Sequence, residues 1–285
     1  MQRTVRKILR AVADYDPDYY DMYADNNEAL FARLYLERIR RHAEAAGIDA
    51  SAAVLEAGCQ AGRLAIPLAK LGYRVTGIDT SGFALRRARE HAKEAGVSLE
   101  LIQGDLIDLL HRHPEWRYDI VVCAEVLYLS PNYRAMLQAM ASAVRPGGLL
   151  CASHRSKGYY VLEAIRQHDV GAAVTVLQTA EGPFRDSAYY NWQTEDELKA
   201  LYRSLGLRWV AMWPIDCTAW LTGLNPSCLG REAQEQWLQL EMRLSPAEGG
   251  LCARYLLVIA EKPRADVIGG HPPLIRGDPR EPEGS

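Results

Sequence analysis

Residues Val54 to Gly62 read VLEAGCQAG, and the chain returns at 75–79 to a second short apolar run, VTGID, that ends on an acid. Val54 and Leu55 read as the end of a buried strand. Gly58 and Gly62 let the backbone turn tightly, and RLAIPLAKLG follows with helical periodicity. A strand, a glycine turn, a helix and a second strand make one β-α-β unit. Its geometry places Asp79 at the tip of the neighbouring parallel strand, where a carboxylate accepts both hydroxyls of a ribose.

The same alternation continues. Strands are expected near 53–57, 73–79, 98–103, 118–124 and 148–153, with helices over 62–71, 81–96 and 131–144. Such a pattern predicts a doubly wound α/β sheet, mostly parallel and covered on both faces. Ser130 with Pro131 reads as an N-cap and first helical residue, and Arg145-Pro146-Gly147-Gly148 as the stop of that helix and the start of a strand. Thr194 and Glu197 form a capping box for a helix reaching Leu205, with Gly206 at its C′ position. Two late runs at 207–215 and 254–261 are expected to pair antiparallel as a C-terminal hairpin, which gives seven strands, and a helical stretch is expected near 231–243.

Domain organisation follows: an N-terminal helical segment at 1–48, one α/β domain at 49–262 with an inserted segment at about 155–193, and a tail at 263–285. Five prolines, four glycines and no aromatic residue in that tail predict disorder. The first thirteen residues carry four cations and no acid, but they lack serine and run into DYDPDYYD. They read as a basic amphipathic helix rather than a targeting peptide.

Net charge of −3 supplies no general attraction for nucleic acid, so no nucleic-acid partner is expected. No apolar run approaches the roughly 20 residues of a membrane span. Six cysteines, none in a CxxC pair, fit buried thiols of a cytoplasmic protein rather than a zinc site or a disulfide framework, and no metal is expected.

Taken in order, the glycine turn, Asp79, QGD ending at Asp105, DIVVCAEVLYL and RPGG resemble the class I S-adenosylmethionine-dependent methyltransferases of small-molecule type, strongly over about 50–155. The resemblance implies a Rossmann-like methyltransferase domain at 49–262 with 1–48 as a lid segment and about 155–193 as the acceptor-binding segment, S-adenosyl-L-methionine as cofactor and methyl transfer to a small-molecule oxygen or nitrogen. It also implies that Glu56, Gly58, Gln60 and Gly62 form the loop under the methionine part. Asp79, with Thr80 beside it, would hold the ribose, Asp105 the adenine amine, and Leu106 and Ile107 the adenine faces. Ala124 to Tyr128 would line the methionine end. Gln60 stands where the family usually has a further glycine; its side chain either narrows the loop or, with negative φ, points harmlessly outward, and the outward arrangement is expected.

Methyl transfer from a sulfonium is an in-line displacement that needs alignment more than a nucleophilic side chain. A base helps when the acceptor must lose a proton, and His154 and Glu125 lie just past strand ends where one would stand. Their bland alternatives are a helix cap and a bond to the cofactor's amino group. Tyr19, Tyr23, Tyr128, Arg155 and Tyr159 are the candidate acceptor contacts, drawn from two tyrosine-rich regions that otherwise read as packing residues. Two other readings compete: an inactive scaffold of the same fold, motivated by Gln60, and an NAD-dependent oxidoreductase. The latter needs G-x-G-x-x-G, where this chain has Gly58, Gln60 and Arg63.

Overall fold

The computed structural model describes residues 19–250 and 252–264. The expected basic helix at 1–13, Tyr15, and the tail from residue 265 onward lie outside the described residues.

A first helix, α1 (Asn26–Ala45), opens on Asp25, whose side chain accepts from the backbone N–H groups of Asn27 and Glu28. The units β1 (Ala53–Ala57), α2 (Ala65–Lys70), β2 (Arg74–Asp79), α3 (Gly82–Glu94) and β3 (Glu100–Gln103) follow. After them come α4 (Leu106–Arg112), β4 (Tyr118–Cys123), a 3₁₀ turn at Leu127–Leu129, α5 (Tyr133–Ala143) and β5 (Val144–Arg155). All seven main strands lie in one sheet of order β3-β2-β1-β4-β5-β9-β8, where β8 is Arg208–Ile215 and β9 is Tyr255–Glu261. β1, β2, β3, β4 and β5 pair parallel. β9 runs antiparallel between β5 and β8, so the last strand of the chain is an inner strand and β8 is the edge.

This order fixes where a ligand binds. From β1 the chain winds outward through β2 and β3, then returns to place β4 on the other side of β1. The crevice at the carboxyl ends of β1 and β4 is the topological switch point. The central strands tolerate burial on both faces because they carry near-continuous apolar runs, and every residue of β4 is buried. One face packs on α4, α5 and α8 (Glu195–Ser204) through Leu109, Leu137 and Tyr202. The other packs on α1, α2 and α10 (Arg231–Arg243) through Tyr35, Leu68 and Trp237.

Between β5 and α8 the chain forms α6 (Lys157–Arg166), α7 (Val170–Gln178) and a hairpin of β6 (Glu181–Phe184) and β7 (Ser187–Asn191). This segment has its own small core around Tyr160, Phe184 and Trp192. A short helix α9 (Ala219–Thr222) precedes α10, and α11 (Pro246–Gly249) precedes β9.

Four boundaries differ from the sequence reading. Helix α4 was absent from it; Asp105 caps this helix by accepting from Ile107 and Asp108, a local signal hidden inside a stretch read as connection. α2 begins at Ala65 rather than 62 because the glycine turn occupies the residues before it. Ser130 is not the cap of α5: its hydroxyl accepts from Asn132, Pro131 lies in the turn and the helix starts at Tyr133. β5 begins at Val144, so the Pro-Gly-Gly lies inside the strand, with the Gly147 N–H donating to the Lys262 carbonyl at 2.7 Å. The capping box of Thr194 with Glu197 and the left-handed Gly206 are as expected. All six cysteine thiols are free, and among the described residues no helix is long and apolar enough to cross a membrane.

Candidate functional site

The turn after β1 is built from three left-handed residues, Gly58, Gln60 and Gly62. Gly58 (φ +76°) passes so close to the loop after β4 that a Cβ there would meet Val126 Cγ2 at 2.5 Å. The Gly58 and Cys59 N–H groups both donate to the Ile78 carbonyl, which ties the turn to β2. Gly62 serves packing instead of the ligand face: a Cβ at Gly62 would strike Ile66 at 2.8 Å, and the residue does not line the cavity. Gly62 thus belongs to the expected turn but is not part of the cavity lining.

A cavity of 380 Å³ opens beside this turn, at the carboxyl ends of β1, β2 and β4. Glu56, Gly58, Gln60, Asp79, Thr80, Asp105, Leu106, Ala124 and Tyr128 all line it, as does Glu125. The topology gathers these residues from four separate segments at one edge of the sheet. Met22, Arg63, Ile78, Leu129 and Met136 also line it, and the sequence reading did not assign them there; Val126 falls within the expected Ala124 to Tyr128 segment. A wider cleft of 600 Å³ lies between α1 and α10 instead; of its arginines, Arg33 is ion-paired with Glu235 and Arg40 and Arg41 with Glu37, and no strand residue lines it.

Asp79 is held by two backbone donors, Ser81 N–H on Oδ1 at 2.8 Å and Gln60 N–H on Oδ2 at 2.9 Å. Each oxygen keeps a further lone pair for a ligand hydroxyl. Glu56 is 4 % exposed and its Oε2 has no partner among the described residues. Burial pushes its carboxyl up to about 8, against the opposing pull of Arg63.

Arg63 joins α1 to the cavity wall. Its guanidinium pairs with Glu28 of α1 at 2.6 Å and with Glu125 at 2.8 Å. Glu125 has φ +61°, and its N–H donates to the Ser153 hydroxyl at 2.6 Å. Burial alone would raise the Glu125 carboxyl, but Arg63 outweighs it and holds it below the usual range. A carboxylate locked to a buried guanidinium is a poor proton acceptor, so the geometry does not support Glu125 as a general base.

Gln60 resolves against the outward reading. Its φ is +45°, and its side chain lines the cavity. The amide is used at both ends: Nε2 donates to the Tyr20 carbonyl at 2.8 Å, and Oε1 accepts from the Met22 N–H at 3.3 Å. Gln60 therefore clamps a strap, residues 19–24, across the cavity mouth. Asp21 pins the same strap to α3 through His91 at 2.9 Å and Arg87 at 3.3 Å. Gln60→Gly removes both amide bonds while relieving a left-handed strain of roughly 1 kcal/mol. We expect near-unchanged stability but faster amide exchange over 20–24 and about tenfold faster cofactor release. Exchange and release rates equal to wild type would mean that the clamp does not restrain the strap.

Tyr23 stacks on His91 at 4.6 Å, and Tyr19 packs edge-on against Phe83 at 4.8 Å. Neither lines the cavity, so both hold the strap in place rather than touch an acceptor in this arrangement. Tyr159 packs against Trp220 at 4.7 Å and lies off the cavity as well, with Arg155 beside it.

His154 is also displaced from its expected role. Strand alternation sends His154 to the α8 face of the sheet, where it is 0 % exposed and its Nε2 is 2.9 Å from the Tyr202 hydroxyl. Burial lowers its imidazole to about 3, which keeps it neutral. A neutral ring sealed in the core cannot accept a proton from a ligand in the cavity. His154→Phe should cost about 1–3 kcal/mol by orphaning the Tyr202 hydroxyl, while cofactor affinity stays within about twofold of wild type. Denaturant melts and calorimetric titration measure the two; a tenfold loss of affinity would contradict the packing role.

Residues 54–148 match the family described as a methyltransferase domain. Over 95 residues the chain is 41 % identical to a ubiquinone biosynthesis O-methyltransferase of Yersinia pestis (strain Pestoides F), covering 33 % of this chain. The chain spans 39 % of the length of that curated relative. Among solved structures, the magnesium protoporphyrin IX methyltransferase of Synechocystis PCC 6803 with bound SAH aligns over 92 % of this chain and all of its own. That alignment has a TM-score of 0.59 and 18 % identity. The CcbJ methyltransferase of Streptomyces caelestis aligns over 90 % of this chain and 96 % of its own, with a TM-score of 0.54 and 15 % identity. At these identities the likeness to solved structures concerns the fold.

Proposed function

We propose that this chain, whose residues 54–148 are a methyltransferase domain of the class I S-adenosylmethionine-dependent type, transfers a methyl group to an oxygen or nitrogen of a small molecule. The observation that carries the reading is the set of acidic groups lining the cavity. Glu56, Asp79 and Asp105 all face it, and its arginine, Arg63, is already bound to two carboxylates. Such a lining suits a ligand with ribose hydroxyls, an adenine and a cationic end. It repels a diphosphate, which weighs against the NAD reading together with the missing glycines.

The residues present fit the cofactor. Gly58 leaves the cradle free of a Cβ, the partnerless Glu56 oxygen awaits a cation, and Asp79 keeps lone pairs for two hydroxyls. S-adenosyl-L-methionine, when bound, supplies an electrophilic methyl group on a sulfonium. The chain's part is to orient and to exclude water. Asp79 and Asp105 fix the nucleoside end, Glu56 and the Arg63-paired Glu125 supply negative charge at the methionine end, and the strap held by Gln60 closes the mouth. Alignment of this kind is worth roughly 7–11 kcal/mol in favourable cases. With His154 in the core and Glu125 ion-paired, the acceptor atom is one that reacts without a strong side-chain base.

The scaffold reading drew on Gln60, yet that side chain leaves a 380 Å³ cavity lined by the expected residues. The decisive experiment adds the chain and methyl-labelled cofactor to a metabolite extract and follows label by mass spectrometry. A low-molecular-weight product carrying the label is expected. Retention of all label on the cofactor, with cofactor binding intact, would favour the scaffold.

A further inference from the structure

Asn191 ends β7, in the segment between β5 and α8, and it is 0 % exposed. A buried primary amide has to place two N–H donors and one oxygen. Its Nδ2 donates to the Leu127 carbonyl at 2.9 Å, and to the Ser130 carbonyl and the Tyr189 hydroxyl at 3.4 Å. Its Oδ1 accepts from Gln193 Nε2 at 3.1 Å, so the amide is held at both ends. Leu127 and Ser130 bracket the 3₁₀ turn after β4, 64 and 61 residues away in the chain. Tyr190, next to Asn191 in β7, stacks on Tyr128 of the same turn at 5.9 Å.

This turn is part of the cavity wall. Tyr128 and Leu129 both line the cavity, and Leu129 is 53 % exposed, which puts it at the mouth. The residues just before the turn are fastened from elsewhere, Glu125 by Arg63 and Ser153 and Val126 against Gly58. Inside the turn the backbone supplies Leu129 N–H to Val126 and Ser130 N–H to Leu127, at 3.1 and 3.2 Å. A single 3₁₀ turn has poor hydrogen-bond geometry and little stability of its own. The part of the wall that meets an incoming molecule therefore leans on Asn191. We propose that Asn191 is a positioning residue for the acceptor: through the Leu127 and Ser130 carbonyls it sets where Tyr128 and Leu129 stand at the mouth. This inference rests on the methyl-transfer reading above.

The cofactor's own contacts have other supports. Glu56, Gly58 and Asp79 come from β1, β2 and the turn between them, and none of the hydrogen bonds of Asn191 among the described residues reaches them. Loss of the amide should therefore weaken capture of the acceptor and spare the cofactor. Asn191→Ala leaves each carbonyl a backbone donor, Ser130 N–H for Leu127 and Tyr133 N–H for Ser130, both at 3.2 Å. Only Gln193 Nε2 loses an acceptor, so the change loosens the turn at a modest cost in stability.

The test compares the wild-type chain with Asn191→Ala in methyl transfer from labelled S-adenosyl-L-methionine to a metabolite extract added in graded amounts. The amount of extract giving half the plateau rate should rise about tenfold in the variant, with the plateau itself within about threefold. Affinity for S-adenosylhomocysteine, by calorimetry, should stay within about threefold. Amide exchange over 127–130 should quicken about tenfold while β4 stays as protected as in the wild type. An unchanged half-saturating amount, a tenfold loss of S-adenosylhomocysteine affinity, or unchanged exchange over 127–130 would overturn the proposal. The wild-type chain supplies a readout that needs no variant: the Leu129 and Ser130 amides should exchange no faster than those of β7, and loop-like exchange there would contradict a held turn. Absence of any labelled product from the wild type would instead sink the methyl-transfer reading, and the exchange comparison would still decide whether Asn191 holds the turn.

Discussion

Asp79→Ala should abolish detectable binding of S-adenosylhomocysteine, with affinity falling by roughly 10²–10⁴-fold. Two effects combine. The carboxylate offers two charge-assisted hydrogen bonds to ribose hydroxyls, each worth about 1.5–3 kcal/mol. It also accepts the Gln60 and Ser81 N–H groups, so its removal loosens the turn that cradles the ligand. Folding should survive, because Asp79 is only partly buried and water can reach the released donors. Calorimetric titration with a parallel thermal melt measures both. A variant that still binds within tenfold of wild type would remove Asp79 from the ribose site, and with it the main anchor of the cofactor assignment.

Cofactor affinity should rise steeply with pH, by roughly 50-fold between pH 6 and 8. In the empty site the Glu56 carboxyl titrates at about 8, because burial disfavours its charge. A cationic ligand selects the carboxylate, so binding releases a proton and weakens about tenfold per pH unit below that value. The same shift acts on folding. A carboxyl raised from 4.5 to about 8 contributes stability below 4.5 that is lost as pH climbs through 8. The ligand-free chain thus pays for a charged Glu56 at alkaline pH, and the cofactor relieves it. Glu56→Gln should flatten the affinity profile. Calorimetry in buffers of different ionisation enthalpy counts the proton directly; a flat profile in the wild type would mean that Glu56 does not face the cation.

Much of the site was legible because its signals are local. Strand, turn and acid recur at spacings set by one β-α-β unit, and Asp79 and Asp105 fall at strand ends whatever the rest of the chain does. Asp105 shows the limit of that reading: as the cap of α4 it also starts a helix that composition alone left as a connection. Gly62 illustrates another limit. A glycine in a turn signals close approach, but only the packed structure shows that Ile66, and not a ligand, is what approaches.

Residues at the end of β5 make the contrast sharpest. Sequence places His154 and Arg155 side by side at a strand terminus, and alternation requires that they face opposite ways. Which of them faces α8 and which the tyrosines is decided by chain segments far away, Tyr202 at 48 residues from His154 and Tyr255 at 100 residues from Arg155. Gln60 is similar: its contacts with Tyr20 and Met22 span 40 and 38 residues.

By itself the sequence determined the doubly wound sheet, the glycine turn and the acids at the strand ends beside it, since hydrophobic period and glycine spacing act over a few residues. Only the tertiary structure decided that Glu56 lacks a partner, that Glu125 has one, that Gln60 fastens a strap and that Asn191 holds the turn carrying Tyr128. Charge state and accessibility depend on which distant groups share a low-dielectric space, and no local pattern encodes that.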